Sequence, residues 1–240
     1  MDIKTVGVVG AGTMGHGIAQ VLARHGYSVV LQDVSAKNLQ RGVEWISRSL
    51  SREVEKGHMA DEDRLQTLDR VKTTTAAGPL SSVDCVIEAV NETFEAKAAV
   101  FRSLDRDCRP ETILATNTSS ISITRLAAVV RRPAQFVGLH FFNPVPVMKL
   151  VEIVPGLQTS PETVAAVEAL AASLGKTPVE VEDFPGFISN RVLMPMINEA
   201  VFALMEGVAD AHGIDTVMKL GMNHPMGPPS SPTSSGSMCA

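Results

Sequence analysis

Close to its N-terminus the chain runs from a short apolar segment, residues 5–9, straight into Gly10-Ala11-Gly12-Thr13-Met14-Gly15. It then enters a stretch where Ile18, Ala19 and Leu22 recur at helical spacing. Three glycines at these intervals between a strand and a helix leave the backbone few options. Gly10 permits a tight turn, Gly12 has no Cβ and lets the backbone approach a pyrophosphate, and Gly15 lets helix and strand pack closely. The helix N-terminus offers unpaired N–H groups and the positive end of its dipole to an anion. A second apolar run, residues 29–32, ends in Asp33, at the spacing of an acid that accepts ribose hydroxyls. A carboxylate there repels a 2′-phosphate, so the expected cofactor is NAD and not NADP. Gly10, Gly12, Thr13, Met14, Gly15 and Asp33 are the cofactor-binding candidates, and the alternative is a glycine-rich turn with no ligand.

Further apolar runs follow at residues 85–89, 113–116, 136–139, 150–154 and 179–181, with helical patterns between them. Most are apolar throughout, as strands covered on both faces by helices must be. The alternation predicts an α/β fold with a Rossmann-type doubly wound sheet. Pro185-Gly186 ends it. Residues 187–205 then read as one long helix carrying Ile188, Val192, Met196, Ala200 and Leu204, with a kink expected at Pro195 and a stop at Gly207. Helical pattern resumes near residues 215–220. The expected domains are an NAD-binding domain over 1–185, a partial helical domain over 186–228, and an aberrant or disordered Pro/Ser-rich tail over 229–240.

Composition removes several classes of function. The 240 residues carry a formal charge of −5, which argues against non-specific nucleic-acid binding. Cys85, Cys108 and Cys239 are far apart and fit neither a zinc site nor a disulfide framework, so no metal and a reducing compartment are expected. No leader pattern precedes the first strand, no apolar run spans a bilayer, and cytoplasm is the default expectation.

Residues 136–139 deliver His140 at a strand end, where ligands of such sheets gather. Alone, a His beside Phe141 and Phe142 describes a satisfied core residue equally well. Glu152 interrupts the apolar run Leu150-Val151-Glu152-Ile153-Val154, and a carboxylate there needs a partner or solvent. Paired with His140, it would orient the imidazole for general acid or base work near neutral pH. A surface Glu on an edge strand is the other reading. Ser119, within Asn117-Thr118-Ser119-Ser120-Ile121, presents a hydroxyl to substrate or caps a helix. Asn190, in the first turn of the long helix, polarises a substrate carbonyl or caps that helix.

GAGTMGHGIAQ, NTSSISI, GLHFFNPVPVMKLVEIV, DFPGFISNRVL and MKLGMNHPMGP stand in one order over residues 4–228. Through them the chain resembles the L-3-hydroxyacyl-CoA dehydrogenase family, most closely its short bacterial 3-hydroxybutyryl-CoA dehydrogenases. The resemblance implies reversible NAD-dependent oxidation of a 3-hydroxyacyl-CoA to a 3-ketoacyl-CoA. His140 is then the catalytic base with Glu152 as its partner, and Ser119 and Asn190 touch substrate near the reacting carbon. Glu92, Lys97, Ser119 and Asn143 match positions that contact NAD, and Ser49 and Lys56 match contacts to coenzyme A. Arg52 joins them by helix geometry, because Arg48, Arg52 and Lys56 fall at i, i+4 and i+8 and could meet the phosphates. A solvated charged face is the competing reading of that stripe. The family also implies a homodimer and a setting in fatty-acid or butanoate metabolism.

Past MGP the chain departs from the family, which continues with a Leu-x-Leu-Ala-Asp-Phe-Ile-Gly-Leu-Asp-like segment and further helices. Reading the codons from Pro229 onward in the neighbouring frame permits Leu-Leu-Ala-Asp-Phe-Ile-Gly-Leu-Asp-Val-Cys, which points to a frameshift by one lost base. A natural Ser/Pro tail is the alternative. The expected consequence is exposed apolar surface on the helical part and a weakened dimer. Two further readings stand beside the enzyme: a non-catalytic NAD-binding remnant, and a related dehydrogenase acting on a sugar acid without coenzyme A. The basic stripe disfavours the last.

Overall fold

The computed structural model describes residues 3–225 and 227, so the tail at 229–240 lies outside the described residues. Eight strands form one sheet: β1 (Thr5–Val9), β2 (Ser28–Gln32), β3 (Val71–Thr74), β4 (Cys85–Glu88), β5 (Ile113–Thr116), β6 (Phe136–Phe141), β7 (Leu150–Pro155) and β8 (Thr177–Glu180). Their order is β3-β2-β1-β4-β5-β6-β7-β8. Strands β1 to β6 are parallel, β7 runs antiparallel to β6, and β8 is parallel to β7. The chain winds outward in both directions from β1, which opens a crevice at the carboxyl ends of β1 and β4.

The apolar runs explain the core. β4 and β5 are buried along their whole length, as strands with helices on both faces must be. On one face α1 (Thr13–Arg24), α2 (Ala36–Glu55) and α6 (Pro161–Ser173) join a single cluster with Val6, Val8, Leu31 and Ile87. Each fully buried Ile or Leu in it, such as Ile18, Leu22 or Ile46, contributes about 2 kcal/mol. On the other face lie α4 (Phe94–Asp107) and α5 (Ile123–Ala127), and Phe101 meets Phe136 edge-on at 4.6 Å. A short helix, α3 (Asp61–Asp69), precedes β3.

Several expected boundaries move. β3 has no apolar run to announce it: Val71-Lys72-Thr73-Thr74 is a half-exposed edge whose signal is β-branching. β6 extends to Phe141, so His140 sits within the strand. The last strand is Thr177–Glu180, two residues earlier than the 179–181 run suggests, and it covers β7. Glu152 is therefore not on an edge strand.

The chain divides into two units, Met1–Phe184 and Pro185–Ala240. In the second, Gly186 and Phe187 take φ of +80° and +48°, which delays the long helix α7 to Ser189–Met205. α7 continues through Pro195. It stops where expected: Gly207 has φ +71°, its N–H donates to Leu204 O at 3.2 Å, and the Val208 N–H donates to Ala203 O at 3.0 Å. α8 (Ala211–Thr216) begins earlier than the expected 215, because the Asp210 side chain accepts from the Gly213 N–H at 2.7 Å and caps it. Val192, Met194, Phe202, Leu204 and Met205 of α7 are exposed. Among the described residues no helix is long and apolar enough to cross a membrane.

Candidate active site

Each of the five strands β2, β1, β4, β5 and β6 ends on the same side of the sheet, and each delivers candidate residues at or near that end. At β1 the glycines are dictated by space. Gly10 has φ +100°, and a Cβ there would lie 2.6 Å from Ala89 O. A Cβ on Gly15 would lie 1.7 Å from Gly10 O, so the close approach is of α1 onto the loop carbonyl. Gly12 is different: a Cβ there meets no protein atom within 4 Å, so the fold itself does not demand glycine. Gly12 is the N-cap of α1, without a side-chain cap and without an acid in the first turn that Thr13 and Met14 open. A cradle that a Cβ would fill, beside an uncapped helix N-terminus, fits a dinucleotide pyrophosphate. At the end of β2, Asp33 Oδ2 accepts from the Ala11 N–H at 2.9 Å, while Oδ1 accepts from the Ser35 N–H at 2.8 Å and Asn38 Nδ2 at 3.2 Å. The acid is thus locked to the glycine loop.

β4 and β5 supply a polar network. Glu88, the last residue of β4, is wholly buried, and Lys97 on α4 is 1% exposed. Lys97 Nζ donates to Glu88 at 2.8 and 3.1 Å and lies 3.1 Å from Glu92 Oε2. Glu92 Oε1 in turn accepts from Thr118 Oγ1, from the Ser119 N–H at 2.8 Å and from the Ser120 N–H at 3.2 Å. Burial pushes the Glu88 carboxyl above the usual range despite Lys97. Burial also acts upward on Glu92, but the Lys97 charge and the donors of the 118–119 loop outweigh it and hold Glu92 below its ordinary value. Asn117 Oδ1 accepts from the Phe141 N–H at 2.9 Å and joins this loop to β6.

His140 and Glu152 are direct partners in the antiparallel register of β6 and β7. Opposite residues share a face, so the side chains meet across the strands. His140 Nδ1 donates to Glu152 Oε2 at 2.8 Å with both residues buried, and Phe142 packs on the imidazole at 4.6 Å between ring centroids. A buried carboxylate that accepts from Nδ1 fixes the tautomer and leaves proton transfer to Nε2.

A cleft of about 640 Å³ borders the glycine loop. Arg41, Trp45, Arg48, Ser49 and Arg52 of α2 line one side, and Asn143 lies on the other. Gln20 Nε2 donates to Ser49 Oγ at 2.9 Å. Lys56 caps the C-terminus of α2, is exposed, and is not among the residues lining the cleft. Asn190 is the second residue of α7, in the other unit. Sequence reasoning passed over Glu88, Arg41 and Trp45. Glu88 carried a signal like that of Glu152, a carboxylate within an apolar run of sequence, here 85–89; Arg41 stands seven residues before Arg48, again on one helix face. Among the described residues no group of three His, Cys, Asp or Glu could hold a metal ion.

Residues 5–184 match the family model of the 3-hydroxyacyl-CoA dehydrogenase NAD-binding domain, and residues 186–231 match its C-terminal domain. A Bacillus subtilis protein described as a probable 3-hydroxybutyryl-CoA dehydrogenase is 51% identical over 228 residues, 95% of this chain and 79% of that protein. The 3-hydroxybutyryl-CoA dehydrogenase of Bradyrhizobium diazoefficiens is 49% identical over 226 residues, 94% of this chain and 77% of its own length. The crystal structure of (S)-3-hydroxybutyryl-CoA dehydrogenase from Ralstonia eutropha superposes with a TM-score of 0.93 at 51% identity, covering 95% of this chain and 80% of that one. A glycine crevice shaped for NAD, carried on a sheet that these proteins share, makes the chain an NAD-dependent oxidoreductase of the 3-hydroxyacyl-CoA dehydrogenase family.

Proposed function

We propose that the protein reversibly oxidises a short 3-hydroxyacyl-CoA, such as 3-hydroxybutyryl-CoA, to the 3-ketoacyl-CoA, with His140 as the proton-transfer group and Glu152 as its orienting partner. The buried 2.8 Å contact between them carries this reading. In oxidation, Nε2 of His140 takes the hydroxyl proton while the C–H bond on the same carbon breaks; in reduction it returns the proton. Glu152 holds Nδ1–H and offsets the charge on the imidazolium. When bound, NAD supplies the two-electron acceptor for that carbon. Ser119 and Asn190 hold the reacting oxygen, and Glu92, Lys97 and Asn143 border the cofactor.

The coenzyme A end lies along α2. Arg41, Arg48 and Arg52 meet its phosphates, Ser49 offers a hydrogen bond, Trp45 offers an aromatic face to the base, and Lys56 stands at the outer end. In this reading residues 1–185 are the cofactor domain and residues 186–228 a partial helical domain for substrate and dimerisation.

A second reading is NAD binding without turnover, favoured by the exposed apolar residues of α7. The deciding experiment adds acetoacetyl-CoA and NADH and follows nicotinamide absorbance. Turnover supports the enzyme, NADH binding without turnover supports the second reading, and failure to bind NADH removes both.

A further inference from the structure

We propose that Glu88 is a positioning residue for the dinucleotide site, acting through Lys97 and Glu92 on the loop that carries Ser119. The proposal rests on the reading that the crevice holds NAD.

Glu88 closes β4 at the switch-point crevice, and its carboxylate is fully engaged. Thr116 Oγ1 donates to Oε2 at 2.7 Å, the Val90 N–H donates to Oε1 at 2.6 Å, and Lys97 spans both oxygens. Lys97 has three ammonium protons and three acceptor residues around it: Glu88, Glu92, and Val90 through its carbonyl at 3.4 Å. Its direction is therefore set by protein groups. Glu92 spends Oε2 on Lys97 and Oε1 on the 118–120 loop, where the hydroxyls of Ser119 and Ser120 also approach to 3.3 Å. The chain of contacts leaves β5 at Thr116, crosses β4 and α4, and returns to the loop that follows β5.

With Glu88 neutral or displaced, Lys97 is shared by one carboxylate in place of two. The pull of Glu88 that balanced Glu92 is then gone, so the ammonium shifts toward Glu92 and draws that carboxylate off the loop. Hydrogen bonds weaken as distance and angle leave their ideal values, so a shifted Glu92 loosens the 118–120 loop beside the crevice, which is how a residue with no ligand contact governs binding. A buried ion pair that merely ties α4 to β4 would do none of this.

The test compares the full chain with Glu88→Gln and Thr116→Val, using NADH and coenzyme A as separate calorimetric titrants and a thermal melt for each protein. Glu88→Gln is expected to raise the NADH dissociation constant about tenfold and to leave that of coenzyme A, which lies along α2 and lacks the reacting acyl group, within about twofold. Thr116→Val is expected to show the same split at about threefold. Folded variants with unchanged NADH affinity, or with both ligands weakened alike, overturn the proposal. If Glu88→Gln fails to fold, the split in Thr116→Val decides by itself. A parent protein that binds no NADH at all overturns the dinucleotide reading as well, and so separates that failure from this one.

Discussion

The two ends of the crevice are built from different material. At β1 and β2 the site is backbone: glycines placed by steric exclusion, helix N–H groups, and one acid pinned to the loop. At β6 and β7, about 14 Å away across three strand spacings, the site is two side chains that meet because an antiparallel register sets them opposite each other. The first end joins the glycine run 10–15 to Asp33, 22 residues beyond Ala11, and sets Gly10 against the Ala89 carbonyl, all through backbone demands. The second depends on residues twelve apart that belong to different strands. Binding and turnover should therefore be separable by mutation, and the predictions below are attempts to break that separation.

The largest effect is expected at the second end. His140→Gln should lower kcat for acetoacetyl-CoA reduction about 10³-fold, in the range of general acid–base loss, with NADH affinity unchanged in a fluorescence titration. Weakened NADH binding would join the two ends into one unit.

At the first end, Gly15→Ala forces a Cβ into the Gly10 carbonyl, which is backbone and cannot yield. It should cost about 3 kcal/mol in a denaturant midpoint and weaken NADH with it. Gly12→Ala is the informative contrast. Its Cβ meets no protein atom, so stability should hold within about 0.5 kcal/mol while NADH affinity falls more than tenfold. Loss of stability without loss of affinity would mean that Gly12 serves the fold and not a ligand.

A smaller effect is expected along α2. Arg52→Ala should raise the acyl-CoA KM several-fold, about 1 kcal/mol, and Lys56→Ala should raise it less, because only Arg52 lines the cleft. Neither should move the KM for NADH. An unchanged acyl-CoA KM in both would return the stripe to a solvated face.

A comparable effect lies at the opposite ends of the central strands β1 and β4, where they begin, and touches stability alone. Burial acts upward on the Asp84 carboxyl, but the Lys4 and Thr5 N–H groups, the Thr5 hydroxyl and Arg109 outweigh it and hold it at about 2. A carboxyl held below its unfolded value, near 3.9, stabilises the fold above that pH, and the contribution disappears as pH falls through about 2. Asp84→Asn should thus cost about 1 kcal/mol at neutral pH, with the two stability curves converging toward pH 2. Curves that stay parallel would remove the effect.

The same contrast explains what could be read before the structure. Gly10, Gly12 and Gly15 declare themselves because a tight turn and a helix start fall in one short run, and Asp33 because it directly follows the next apolar strand. The central strands declare themselves by unbroken apolar runs, whereas β3 is a polar edge and does not. The His140–Glu152 pair could only be posed as one of two readings, since the register of β6 on β7, and the cover that β8 gives β7, are long-range facts. Glu88 stayed unseen although, like Glu152, it is a carboxylate in an apolar run, because it ends its strand and its partner Lys97 arrives from a helix.

The central claim is that His140 moves the substrate proton while the glycine end holds the cofactor. Single-turnover oxidation of bound NADH by acetoacetyl-CoA, compared between the parent protein and His140→Gln at saturating NADH, tests it directly. The account predicts a rate about 10³-fold slower in the variant at full cofactor occupancy. Equal rates at equal occupancy would contradict it.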